Sequence, residues 1–300
     1  MLISNISFAQ FSEARDYQNS PVSLNDINFE YDYISGSNSI LPDIYNTAGN
    51  SFANYYSLTY TKNFSIGGNT ASLETTFGYG SISSSAKGYI LNSNTDTSEV
   101  NSNTVKGISD LSFVFTANIL GAPAMSLKRF NNSDENNSVL SVRLFVSTPL
   151  GYYKKSDLTN IGANCWTFIP EIAFTKPFGD NFVLDIYSNV RFYTNNSEFL
   201  DSNTIAQNPV FGIDFHPSYT IIPSIDLWIS IDGMLRFYGE SSFNGFDQDD
   251  DFRQLMLGST VETNISDNQS LSFQYLNNLF FGFDSPNNFQ ISASYSYTFY

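Results

Sequence analysis

The chain is poor in charge, in cysteine and in long apolar runs, and each shortage excludes something. Only 14% of its 300 residues are charged, against roughly a quarter in an ordinary soluble domain. Of these, 13 are Lys or Arg and 29 are Asp or Glu, a formal charge of −16. No basic stripe is present to displace phosphate counterions, which argues against nucleic acid as a partner. Cys165 is the only cysteine, so no disulfide within the chain is available. No Walker, dinucleotide or zinc spacing occurs, and neither a metal nor a cofactor is expected. No run of about eighteen apolar residues exists, which excludes a transmembrane helix. Membrane strands escape that test, because they hide every second apolar residue.

Aromatics are abundant at 16%, with 28 Phe and 19 Tyr, and polarity comes mainly from Asn, Ser and Thr. Apolar and polar residues alternate with period two, the mark of a strand with one greasy and one wet face. About twelve strands follow: Asn25 to Gly36, Asn50 to Lys62, Thr70 to Ile82, Asp110 to Ile119, Ser138 to Thr148 and Cys165 to Lys176 in the first half. Phe182 to Thr194, Pro209 to Thr220, Ile225 to Gly239, Arg253 to Ile265, Gln269 to Phe281 and Asn288 to Tyr300 make up the second. Gly67-Gly68, Pro177 to Asp180, Ile222 to Ser224 and Ser266 to Asn268 supply tight turns. Long polar loops, including Ser83 to Lys106 and Asn195 to Gln207, alternate with them.

That alternation of long and short connections is the pattern of an outer-membrane barrel. The apolar face carries almost no charge away from strand ends, where Lys62, Lys176 and Arg253 sit. A basic residue at the bilayer midplane would cost roughly 2 to 4 kcal/mol. The last strand ends on aromatic residues, and an uncovered aromatic edge would recruit other chains. Pairing it with the first strand removes the edge. The predicted fold is therefore all-β: a transmembrane antiparallel up-and-down barrel over residues 25–300, with long extracellular loops and short periplasmic turns. Residues 10–24 are expected as a periplasmic segment. Met1 to Ala9, with Ser7-Phe8-Ala9 before Gln10, reads as a signal-peptide remnant or a frayed terminus.

Residues in the polar phase would line the lumen: Glu30, Asp32, Glu74, Asp110, Arg143, Glu171, Asp185, Arg191, Asp214, His216, Asp226, Asp232, Arg236 and Glu262. Ion pairs such as Arg191 with Asp185 or Arg236 with Asp232 are expected, and the excess of carboxylates predicts a preference for cations. Tyr31, Tyr33, Tyr56, Tyr60, Tyr79, Trp166, Tyr219, Tyr295, Tyr297 and Phe299 are expected near strand ends as membrane-interface aromatics. His216, the only histidine, has no Gly-x-Ser-x-Gly motif to serve, so no catalytic residue is assigned and lipid hydrolysis is the least favoured reading. Asp247 to Asp251 lacks the glycine and closing glutamate of an EF-hand and reads as a solvated acidic loop.

Thr148 to Gly179 (TPLGYYKKSDLTNIGANCWTFIPEIAFTKPFG) resembles the bacterial outer-membrane transporter family labelled "putative MetA-pathway of phenol degradation". Glu13 to Tyr17 (EARDY), Gly107 to Leu111 (GISDL), Asn118 to Phe130 (NILGAPAMSLKRF) and Phe237 to Gly245 (FYGESSFNG) resemble it in the same order. Cys165 departs from the family's Asn-Arg-Trp-Ser-Phe. The resemblance implies a Gram-negative outer-membrane channel for small solutes of aromatic or hydrophobic character. The expected partners are outer-membrane lipid, the solute and, through the last strand, the assembly machinery. The alternative is a structural or surface-interaction barrel, its lumen plugged by Leu120 to Asn137 or by Gln10 to Leu24.

Overall fold

A computed structural model describes residues 12–38, 48–88, 99–133, 137–157, 159–281 and 287–300. Its strands are β1 (Asn25–Asn38), β2 (Ala48–Ile66), β3 (Asn69–Gly88), β4 (Glu99–Ile108), β5 (Ser112–Leu120), β6 (Val139–Ser147), β7 (Thr167–Phe178), β8 (Phe182–Tyr193), β9 (Asn196–Phe199), β10 (Asn203–Gln207), β11 (Val210–Ile222), β12 (Leu227–Ser230), β13 (Asp232–Tyr238), β14 (Ser241–Phe243), β15 (Phe246–Asp247), β16 (Phe252–Ser266), β17 (Gln269–Phe281) and β18 (Asn287–Phe299). Antiparallel pairing runs around the sheet from β1 to β17, and β18 returns to β1. Among the described residues the ladder is therefore closed, with β4 lying off the closed path and paired with β3.

Fourteen of these strands form the barrel sheet, and two of its staves are interrupted, which leaves twelve. β4 and β5 both pair with β3 and count as one, and β12 and β13 count as another. The second break is at Ile231, opposite Pro217 of β11. Proline has no N–H for the ladder, but the Ile231 N–H still donates to the Pro217 carbonyl at 3.0 Å. Tight turns gather at one end, where Gly67 and Gly68 adopt φ of 59° and 87°, conformations only glycine takes readily. Outer-membrane barrels place such turns in the periplasm.

Pairing continues beyond the predicted strand ends. Ser83 to Lys106 reads as loop in sequence, yet β3 runs to Gly88 and pairs with β4 from Glu99. Ser, Thr and Asn supply no apolar alternation, but their backbones complete ladder bonds as well as any others. Asn195 to Gln207 likewise contains β9 and β10, which form a small sheet with β14 and β15 around Phe199, Ile205 and Phe243. A single helical turn, α1 (Leu127–Phe130), lies in the connection from β5 to β6.

Outward residues such as Leu58, Phe77, Ile172, Phe215, Phe273 and Tyr295 are exposed around the barrel, far more apolar surface than a water-soluble monomer leaves uncovered. β18 keeps an unbroken register with β1 through Phe299, so no bulge moves its phase, and Tyr300 lies exposed beyond the ladder. Deleting Tyr300 should leave the barrel intact, with wild-type heat-modifiable mobility in electrophoresis. Loss of the folded band would show that the last residue is needed for closure.

Candidate functional site

Strand alternation sends one face of each stave into the lumen, and the walls it builds are unequal. On β6, β8 and β13 stand Arg143, Arg191 and Arg236, all buried. Arg236 makes a two-point contact with Asp214, with Nη2 to Oδ2 at 2.9 Å. A Cβ on Gly212 would meet Arg236 Nη1 at 3.0 Å, so the glycine leaves the guanidinium its room. His216 Nδ1 lies 2.8 Å from Asp232 Oδ1, and Ser230 and Thr260 donate to the same carboxylate, each at 2.7 Å. The expected pairs Arg236 with Asp232 and Arg191 with Asp185 are not the ones seen here. Along one strand Asp232 and Arg236, four residues apart, are separated by about 13 Å and Asp185 and Arg191, six apart, by about 20 Å at roughly 3.3 Å per residue, whereas cross-strand neighbours are about 5 Å apart.

Of the two places expected for residues 10–24, the periplasm and the lumen, the described part from residue 12 reaches the inward faces of the staves. Ser12 donates to Glu171 at 2.5 Å, Tyr17 also donates to Glu171, and Arg143 donates to Ser12 at 2.9 Å. Arg15 donates from its backbone to Asp185 at 3.0 Å and from its side chain to Ser218 and Thr220, each at 2.9 Å. Its guanidinium also lies over the Trp228 ring. Tyr187 donates to the Glu13 carbonyl, and the rings of Tyr17 and Tyr187 meet edge-on at 4.8 Å. At the periplasmic mouth Val22 N–H donates to Met125, tying the segment to the connection between β5 and β6. A cavity of about 350 Å³ remains there, reached by Arg15, Met125, Pro177, Thr220 and Asp226.

These contacts hold residues 12–17 against β6, β7, β8, β11 and β12, while residues 19–24 hydrogen-bond to Asn63 of β2 and Thr70 of β3 at the periplasmic end. The opposite wall, formed by β1 to β3, carries Glu30 and Glu74, both half-buried, and Asp32, which accepts from Ser292 at 2.5 Å and Gln290 at 3.1 Å. The segment's own Glu13 and Asp16 come within electrostatic reach of Glu30 and Glu74 respectively. The side left beside the segment is therefore rich in carboxylates; Arg191 and Arg236 lie in the packed wall, and Arg143 comes within electrostatic reach of Glu74 and Asp16.

Toward the extracellular end the same inward phase turns apolar. Ile34, Ala53, Ile82 and Val105 pair side by side across β1 to β4 and are buried. One row below them are Asp32, Tyr55, Gly80 and Gly107. A Cβ on Gly80 would meet the Tyr55 ring at 2.8 Å, and one on Gly107 would meet Tyr152 at 2.3 Å, so the glycines let both rings lie flat on the wall. Ile161, from the loop between β6 and β7, completes the cluster from above. Enclosing a side chain of this size contributes about 2 to 3 kcal/mol.

That loop hangs on Asp110, whose two carboxylate oxygens accept from the N–H groups of Gly151 and Ala163, each at 2.7 Å. Gly151 and Gly162 pack so closely that a Cβ on Gly162 would come within 2.9 Å of the Gly151 Cα. Asn160 braces the loop through Lys154 and Asp157. Outside the membrane, Asp157 accepts from Lys154 at 2.9 Å, a hydrogen bond that raises the ammonium pKa.

Of the predicted lumen residues, Arg143, Glu171, Asp185, Arg191, Asp214, His216, Asp232 and Arg236 come together in the packed wall. Glu30, Asp32 and Glu74 face it, and Glu262 is half-buried below. Two residues differ from expectation. Asp110 sits between β4 and β5 as the loop clamp. Asp226 follows the turn Pro223–Ile225 with φ of 43° and lies exposed at the rim, 3.7 Å from Arg15. Asp250 of the acidic loop accepts from the Ser241 backbone and hydroxyl.

Among the aromatics, Tyr60, Tyr219, Tyr295, Tyr297 and Phe299 lie toward the turn end and Trp166 at the loop end. Tyr31, Tyr56 and Tyr79 form a cross-strand row in mid-strand, with Tyr33 just above, because β1 to β3 continue beyond the apolar belt. Sequence reasoning gave no individual role to Ser12, Arg15 and Tyr17, which lie in or beside the EARDY motif, and passed over Tyr55 and Ile161. The available signal was Ile34 and Ile82 standing in the polar phase of their strands.

A family model described as "Putative MetA-pathway of phenol degradation" matches residues 34–299. No curated protein sequence matches. The outer membrane channel COG4313 from Pseudomonas putida F1 superposes with a TM-score of 0.78 at 18% identity, covering 96% of this chain and 100% of that one. The transport unit of the Escherichia coli autotransporter AIDA-I gives 0.52 at 11% identity, covering 97% and 94%. The β domain of the Bordetella autotransporter BrkA gives 0.50 at 10% identity, covering 92% and 99%. At these identities the likeness is one of fold.

Replacing Arg236 with Ala would strand the buried Asp214 carboxylate. Urea unfolding of Arg236→Ala barrels in lipid vesicles should show a loss of about 3 to 5 kcal/mol, and an unchanged midpoint would remove this pair from the structure's supports.

Proposed function

The chain belongs to the family described as putative MetA-pathway of phenol degradation, a barrel of the bacterial outer membrane, and from that premise we propose that it conducts small organic molecules by passive diffusion. The observation that carries this reading is the division of the lumen. Residues 12–17 of the N-terminal segment are hydrogen-bonded to one wall, and the path beside them is bordered by Glu13, Asp16, Glu30, Asp32 and Glu74. Carboxylates concentrated in a narrow, low-dielectric passage focus a negative potential. The passage then favours cations and uncharged solutes over anions.

No catalytic step enters this reading. His216 is held by Asp232 and its ring lies 5.2 Å from that of Tyr187, an arrangement that supports packing. A second reading, a filled barrel acting at the cell surface, draws on the same N-terminal segment and on the long β3–β4 arm. Conductance separates the two.

In planar bilayers under a KCl gradient, the reversal potential should lie on the K⁺ side, and the double variant Glu30→Gln/Glu74→Gln should lower the cation preference severalfold. Anion preference in the native protein would overturn the acidic-path reading. Deleting residues 12–19 should raise single-channel conductance severalfold. A deletion that stays silent would favour the surface-interaction reading.

A further inference from the structure

The apolar chamber at the extracellular mouth is not needed to close the barrel, since β1 to β4 are already joined by their ladders. It breaks the polar lining where a passing solute would first meet the wall. Its floor is the Tyr55 ring over Gly80, its sides are Ile34, Ala53, Ile82 and Val105, and its occupant is Ile161. The occupant is instructive in its chemistry. Ile161 presents an aliphatic body together with one carbonyl oxygen, and the Tyr55 hydroxyl donates to that oxygen at 3.5 Å, a long and weak bond.

Resting on the channel reading above, we propose that this chamber is a binding site for a small molecule with an alkyl or aryl body and one hydrogen-bonding oxygen, and that Ile161 fills it between encounters. The apolar row takes the body and the Tyr55 hydroxyl takes the oxygen. The entering group covers the surface that Ile161 leaves, and its own burial offsets the exposure of the Ile161 side chain. The loop keeps its attachment through Gly151 and Ala163 on Asp110 while its tip gives way. Asp32, one row below and next to Tyr55 in register, marks where the wall becomes polar again, so a solute leaving the chamber passes directly to the carboxylate path.

The test uses 4-bromophenol, whose bromine can be located by anomalous diffraction, soaked into crystals of the full chain. In Ile161→Ala the occupant is removed, and bromine should appear between Tyr55 and Ile82 at severalfold higher occupancy than in the native protein. In Ile161→Ala/Ile82→Asn that peak should disappear. Should Ile161→Ala not fold, Asp110→Asn, which loosens the loop clamp, should raise occupancy over native in its place. Bromine absent from the chamber in both single variants, or undiminished by Ile82→Asn, would overturn the proposal. Bilayer conductance of the same preparations reads the channel separately. Conducting protein without bromine in the chamber refutes this site alone, and bromine in a non-conducting barrel supports the site while refuting the channel reading.

Discussion

Hydrogen bonding between β1 and β18 is the contact on which the rest depends. Asn25 pairs with Phe299 and the register holds to Ser37 with Asn287, joining the chain's first and last strands. Without it, two rows of backbone N–H and C=O groups would face hydrocarbon, each costing several kcal/mol. With it, the side chains are released from any duty to cover the backbone. Their outward set is then free to be apolar, and their inward set to be charged.

Closure also creates an interior that must be filled or wetted, and the chain does both. Arg143 of β6 and Arg236 of β13 are matched by Glu171 and Asp214 on neighbouring staves, and Arg143 also by Ser12 of the N-terminal segment. A buried ion pair is sustained only when its remaining donors and acceptors are satisfied, and the segment supplies several of those partners. On the other wall, Glu30 and Glu74 remain half-buried, with Arg143 in electrostatic reach of Glu74. The asymmetry that marks out a path is thus a consequence of where the N-terminal segment finds its hydrogen bonds.

At the extracellular end the polar lining gives way because β1 to β4 rise beyond the staves opposite them. Their inward residues there no longer face the lumen wall across the barrel but a loop, and Ile34, Ala53, Ile82 and Val105 bury against Ile161. Glycine is decisive in this region for its missing side chain. At positions 80 and 107 it admits two tyrosine rings, and at 151 and 162 it lets the loop fold back on itself.

Period-two alternation by itself determined the barrel, its staves and which phase faces lipid, because a strand's side-chain geometry is local and a charge facing hydrocarbon is too costly to tolerate. Ser83 to Lys106 was illegible in part because backbone pairing needs no apolar pattern. Cross-strand partners were also beyond reach: Asp232 looks to Arg236 along the chain, but the register brings it His216, Ser230 and Thr260. Only the tertiary structure decided that residues 12–24 enter the lumen, that Asp110 clamps a loop and that Ile161 closes an apolar chamber. Each of these depends on residues far apart in sequence becoming neighbours once the sheet has closed.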